Sequence, residues 1–287
     1  MNLFKNILIP VNKGMDASVA VKKALELKDE KEQVRIHFLM YRNESFEYNF
    51  LNFFKKKKSS GNSSYNTLFE TRFPSFKKEI EEQCDNCSLV IDTIPQKNIT
   101  KGLIKYINEN SIDLFLFCQK RATHGLGFSK KINFNKIARQ SSCSVLSITP
   151  GSLNHSVKSI ILPVGSFIPE KKIQIAIAFA QKYNGLIHLV TMLDNSDEGH
   201  SKMKVDIFYK TYKILQECGY TPQYKILSKY ESHEILLRYA ENANADLILL
   251  NPEKRSFLST ITVNAIVDFI SPHSHLQVLM TKPNIAS

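Results

Sequence analysis

No stretch of this 287-residue chain approaches the roughly 18 consecutive apolar residues that a membrane-spanning helix requires. The opening residues, Met1 to Val11, run into a strand-like pattern with no small-residue cleavage site, so the expectation is a cytoplasmic chain with no membrane partner. Cysteine is scarce. Cys84, Cys87, Cys118, Cys143 and Cys218 are odd in number and thinly spread, which argues against a secreted disulfide framework and predicts reduced thiols. Also missing are a Gly-x-Ser-x-Gly elbow, a His-Glu-x-x-His helix and a full Walker loop, and no other catalytic constellation can be assigned. The expectation is therefore a protein that is not an enzyme.

What is present suffices to build cores. Hydrophobic residues make up 43% and charged residues 23%, near globular averages and far from the composition of disordered chains. The length divides more naturally into two domains than into one large core. Net charge is +11, carried mostly by the first half: 24 Lys/Arg stand against 15 Asp/Glu up to Ser152, and 14 against 12 after it.

An internal repeat organises the chain. Lys5-Asn6-Ile7-Leu8-Ile9-Pro10-Val11 returns as Lys158-Ser159-Ile160-Ile161-Leu162-Pro163-Val164, and Val34 to Leu39 is echoed by Leu186 to Val190, with His37 and His188 at matching places. Asp113-Leu114-Phe115-Leu116-Phe117 pairs with Asp246-Leu247-Ile248-Leu249-Leu250. Val145 to Pro150 and Val278 to Pro283 close the two halves. These runs are apolar and mostly continuous, as parallel strands buried on both faces must be. Between them lie segments of helical period: 16–27 behind a candidate cap at Asp16, then 101–110, 169–183 and 234–243. The alternation predicts an α/β fold of two tandem doubly wound domains, each a five-stranded parallel sheet flanked by helices. The domains are expected over 1–152 and 153–287, with a basic insertion at about 43–65 that contains Lys55 to Lys58.

The opening Lys-Asn-Ile-Leu-Ile-Pro-Val, the segments Ile112-Asp113-Leu114 and Ala245-Asp246-Leu247, and Cys143-Ser144-Val145-Leu146 resemble the universal stress protein family over nearly the whole chain. The resemblance implies strand order 3-2-1-4-5, a ligand crevice at the carboxyl ends of strands one and four, and pairing through the fifth strands as an intramolecular pseudo-dimer. The same crevice is where open α/β sheets in general receive ligands. The fifth strands, 144–149 and 276–281, are also apolar edges that need covering. Nucleotide-binding members of that family carry Gly-x-x-Gly, nine residues, then Gly and Ser or Thr. Counted back from strand five, those positions are Cys118, Arg121, Lys131 and Ile132 in the first half, and Asn251, Lys254, Asn264 and Ala265 in the second. Where binding members place an Asp after strand one, this chain has Asn12 and Gly165.

A remnant of the family's loop survives in Ala122-Thr123-His124-Gly125-Leu126-Gly127. A four-residue shift would bring Gly125 to a phosphate position, beside Lys120, Arg121, Lys130 and Lys131; the simpler reading is a loop whose glycines form turns. The ligand-binding candidates are accordingly Asn12, Arg121, Thr123, His124, Gly125 and Gly127, with no cofactor expected and weak binding of ATP or another adenine nucleotide as the alternative. Cys84-Asp85-Asn86-Cys87 has the spacing of a metal knuckle or redox pair, but no second pair accompanies it and Cys84 aligns with Cys218, so packing cysteines are expected. His273 and His275 read as a solvated loop, and His37 and His188 as hydrogen-bonded core residues. Lys55 to Lys58 reads as a solvated run, with anion or nucleic-acid binding as a further alternative. The overall expectation is a stress-response protein acting through binding or interaction with an unknown protein partner. A homodimer is left open.

Overall fold

The computed structural model describes residues 3–11, 17–28, 32–42, 74, 77–78, 80–82, 84–95, 97–118, 132–153, 155–193, 198–228, 232–252 and 274–283. The insertion at 43–65, with its lysine run, lies outside them. The chain divides into two compact units, Asn2–Asn133 and Phe134–Ser287.

In the first unit the order of elements is β1 (Asn6–Pro10), α1 (Ala17–Leu27), β2 (Val34–Arg42), β3 (Cys87–Pro95), α2 (Ile99–Glu109) and β4 (Leu114–Cys118). The strands run parallel in the order β3-β2-β1-β4. Continuous apolar sequence becomes continuous burial: every residue of β4 is buried, as are Ile7, Leu8 and Ile9 of β1. Helix α2 buries one stripe, carried by Leu103, Tyr106 and Ile107, whereas α1 buries most of its surface.

The second unit contains α3 (Phe134–Gln140), β5 (Ser144–Ile148), β6 (Ser159–Val164), α4 (Glu170–Tyr183), β7 (Leu186–Leu193), α5 (Glu198–Glu217), β8 (Gln223–Ser228), α6 (Ser232–Asn242), β9 (Leu247–Leu250) and β10 (Gln277–Met280). Its strand order is β5-β10-β9-β6-β7-β8. The five strands β8-β7-β6-β9-β10 are parallel and reproduce the order 3-2-1-4-5 within the second repeat. Against β10 lies β5 in antiparallel register, Val278 opposite Ser147 and Met280 opposite Val145. The two fifth strands therefore cover each other's edges, as their apolar sequence requires, and Val145 and Val278 are each 1% exposed. Ser144 Oγ donates to Thr281 Oγ1 at 3.1 Å beside this seam.

One glycine is dictated by close approach. Helix α4 ends at Asn184 in the left-handed region (φ 52), and the following Gly185 N–H donates to the Ala180 carbonyl at 3.0 Å. A Cβ on Gly185 would stand 2.7 Å from the Val157 carbonyl oxygen and 3.2 Å from that of Lys158. Both are backbone atoms and cannot rotate aside. Gly185→Ala is expected to cost about 2 kcal/mol of stability in denaturant unfolding, in the range of overpacking defects. A variant as stable as the parent would show that the start of β6 yields.

Candidate functional site

The sheet is anchored at its amino end by one carboxylate in each repeat. Asp113, just before β4, accepts hydrogen bonds on Oδ2 from the backbone N–H groups of Lys5 and Asn6, both at 2.8 Å. Asp246, just before β9, does the same for Lys158 (2.7 Å) and Ser159 (2.9 Å). The backbone reciprocates, since Asp113 N donates to Asn6 O and Asp246 N to Ser159 O. A single carboxylate oxygen thus satisfies two N–H groups where strand one begins and fixes its register on strand four.

Midway along the sheet each repeat carries a histidine–tyrosine pair. His37 Nδ1 lies 3.0 Å from the hydroxyl of Tyr106, and His188 Nδ1 lies 3.1 Å from that of Tyr239, with ring planes near perpendicular. Both histidines are hydrogen-bonded core residues, as expected. Burial, helped by the nearby Arg35 guanidinium and opposed by Asp92, pushes His37 down to about 4. Burial also lowers His188. Both imidazoles are neutral at pH 7. Tyr106 is pushed up to about 12 by burial and then by Asp92, so it stays a hydroxyl.

The crevice implied by the resemblance would lie at the carboxyl ends of strands one and four. In the first repeat, Asn12, Arg121, Thr123, His124, Gly125 and Gly127 all lie outside the described residues. Of the ungapped loop positions there, Cys118 is buried at the end of β4 and Ile132 is buried beyond it, so neither is open to a ligand. In the second repeat, continuing the β6–β9 register (Ile160 to Leu247, Ile161 to Ile248) sets Val164 against Asn251 and Gly165 against Pro252. A Cβ on Gly165 would meet nothing within 4 Å, so the end of β6 opens into free space. Asn251 Oδ1 is buried and has no hydrogen-bond partner among the described residues, and Pro252 beside it is buried. Proline brings no N–H to this end of the strand. Lys172 of α4 is buried and donates to the Pro163 carbonyl, while Thr191 Oγ1 donates to Val164 O at 3.1 Å.

These neighbouring polar groups therefore serve the backbone of β6. No group of three or more His, Cys, Asp or Glu among the described residues is arranged to hold a metal ion, and no described helix is long and apolar enough to cross a membrane.

No family model and no curated protein matches the sequence. Solved structures do. A universal stress protein from Archaeoglobus fulgidus superposes at TM-score 0.65 with 13% identity, over 96% of this chain and 98% of its own. The chain carries the universal stress protein fold in tandem form. A protein of unknown function from Pseudomonas aeruginosa is similar at TM-score 0.61 and 13% identity, covering 98% of this chain and 93% of that one. The cytoplasmic domain of a prokaryotic cation chloride cotransporter follows at TM-score 0.52 and 11% identity, covering 96% and 95%. Two of the segments that carry the resemblance in sequence, the start of strand one and the aspartate before strand four, are those that tie these strands together.

Two expectations from sequence need correction. Cys84 and Cys87 are joined by a disulfide, with Cα atoms 5.5 Å apart. The turn between them carries the hydrogen bond from Cys87 N to Cys84 O, and that fold-back brings the two residues within bridging distance, which spacing alone does not reveal. His275, expected in a solvated loop, is half-buried. Its ring stacks on His155 (centroids 5.0 Å apart) and its Nε2 lies 3.7 Å from Asp246 Oδ1. The acidic neighbour is absent from the local sequence because the pairing of β9 with β10 supplies it. His273 lies outside the described residues.

Proposed function

We propose that this universal stress protein-like chain is a non-enzymatic stress-response protein that acts by binding or interaction, with a second repeat that does not hold a nucleoside triphosphate. The observation that carries this reading is the strand-end pair of Gly165 and Pro252 beside Asn251. A phosphate site at this place needs several backbone N–H groups converging on the anion. Here one position is a proline without a donor and the other a glycine without a side chain for the base or ribose.

For the first repeat the reading rests on sequence. Lys120, Arg121, Lys130 and Lys131 supply cations without a run of glycines at the family's positions, so any triphosphate would be held by charge and released by salt. Calorimetric titration of the full chain with ATP, ADP and AMP at physiological ionic strength is the test. The expected dissociation constant for ATP is no tighter than about 100 μM, or roughly 5.5 kcal/mol. Micromolar affinity that Gly125→Val abolishes would overturn the proposal and make the Thr123 to Gly127 segment an adenine-nucleotide site.

A further inference from the structure

The two repeats solve one connection differently, and the difference isolates a chemical group that nothing else in the fold uses. The connection is the entry into the third strand of each repeat. His37 pairs with Val90 and His188 with Gln223, so the sheet register places Cys87 opposite Tyr220 and Cys84 opposite Glu217, one residue from the alignment that sequence alone gives. The second repeat therefore has a cysteine at neither position. Its turn is closed by Gly219 in the left-handed region (φ 86), with Gly219 N donating to Gln216 O and Tyr220 N to Leu215 O, both at 2.9 Å. That is an ordinary glycine-assisted helix ending. The fold thus completes this turn without a covalent link.

In the first repeat the turn has no glycine. Among the described residues its backbone closure is the bond from Cys87 N to Cys84 O at 3.4 Å, at the long end of the useful range, and Asn86 O accepts from Val34 N at 3.1 Å. The disulfide supplements this weak closure at the first residue of β3, which stands at the end of the strand order in its unit. The two sulfurs differ in access. Cys84 is buried at 7% exposure, Cys87 is only partly covered, and the intervening Asp85 and Asn86 are exposed.

We propose that Cys84 and Cys87 form a reversible thiol–disulfide exchange site for low-molecular-weight thiols and disulfides, and that its oxidised form clamps the start of β3. In the reducing direction a thiolate of a dithiol attacks Cys87 Sγ, the more accessible sulfur. The Cys84–Cys87 bond breaks as a mixed disulfide forms on Cys87, and the departing Cys84 thiolate takes a proton from solvent. The second thiolate of the reagent then displaces Cys87, which is protonated in turn. The reagent leaves as its disulfide, having supplied the two electrons that the cysteine pair gains. Oxidation is the reverse, with a disulfide such as oxidised glutathione accepting the electrons.

The test uses the full chain carrying Cys218→Ser, which removes the exposed free thiol and leaves the buried Cys118 and Cys143 outside the pair. Thiols are counted by alkylation under denaturing conditions and intact mass. After native treatment with dithiothreitol the expected count is four; after removal of reductant and native treatment with oxidised glutathione it is two, returning to four with fresh dithiothreitol. Amide exchange over residues 87–90 is expected to be roughly tenfold faster in the reduced form, as local opening would give. A chain that also carries Cys84→Ser and Cys87→Ser should show two thiols and one exchange rate throughout. Two thiols persisting after native dithiothreitol, four persisting after oxidised glutathione, or exchange at 87–90 indifferent to the redox state would each overturn the proposal.

Discussion

Asp246→Ala is expected to remove about 3–4 kcal/mol from the unfolding free energy, with Asp113→Ala costing about half as much, since hydrogen bonds to a charged acceptor contribute about 1.5–3 kcal/mol each and an orphaned buried donor adds its own penalty. Both carboxylates accept the same two backbone bonds, so the repeats serve as internal controls. They differ in access to water. Asp246 is 6% exposed and its bond from Ser159 N is buried, whereas the bond from Lys5 N to Asp113 is exposed, so water can replace the lost carboxylate in the first repeat but not in the second. Urea unfolding followed through amide exchange of each repeat would measure the two losses separately. Equal losses would mean that the carboxylates act through something other than the N–H groups they bracket.

A second large effect is expected with pH. The unfolded His37 takes up a proton near its ordinary value of 6.5, while the native one does so only at about 4. Between those values the unfolded chain binds more protons than the native one, and stability falls as pH falls. The contribution is complete above about pH 6.5, declines through the window and levels off below about pH 4, for a total on the order of 3 kcal/mol at 1.36 kcal/mol per unit of difference. His188 is lowered in the same direction and adds to the slope. Replacing the imidazole by an amide, His37→Gln, keeps a partner for the Tyr106 hydroxyl and removes the titration. Its stability is expected to be flatter from pH 6.5 to 4 than that of the parent. An unchanged slope would assign the acid sensitivity to other groups.

How much of this could be read from sequence depends on the range of the interaction involved. Buried parallel strands need uninterrupted apolar residues, so Ile7-Leu8-Ile9, Leu114 to Phe117 and Leu247 to Leu250 announce themselves and their repetition gives the topology. The seam between β5 and β10 is legible for the same reason, because an apolar edge must be covered. The roles of Asp113 and Asp246 are visible only as a recurring letter, since the N–H groups they satisfy lie 87 or more residues away. Lys172 of α4 is 3% exposed and donates to the Pro163 carbonyl, a burial that no local pattern reveals. Gly165 and Pro252 beyond β6 and β9 are readable directly, because glycine and proline change what the backbone itself can offer.

The antiparallel seam of β5 and β10 also changes how the protein responds to dilution. When two separate subunits complete each other's sheets in this way, mass action governs the seam and stability rises with protein concentration. Here Val145 and Met280 face each other from one polypeptide. Their encounter is unimolecular, at an effective concentration set by the intervening chain rather than by how many copies are present. The fifth strands therefore stay covered as completely in a scarce protein as in an abundant one.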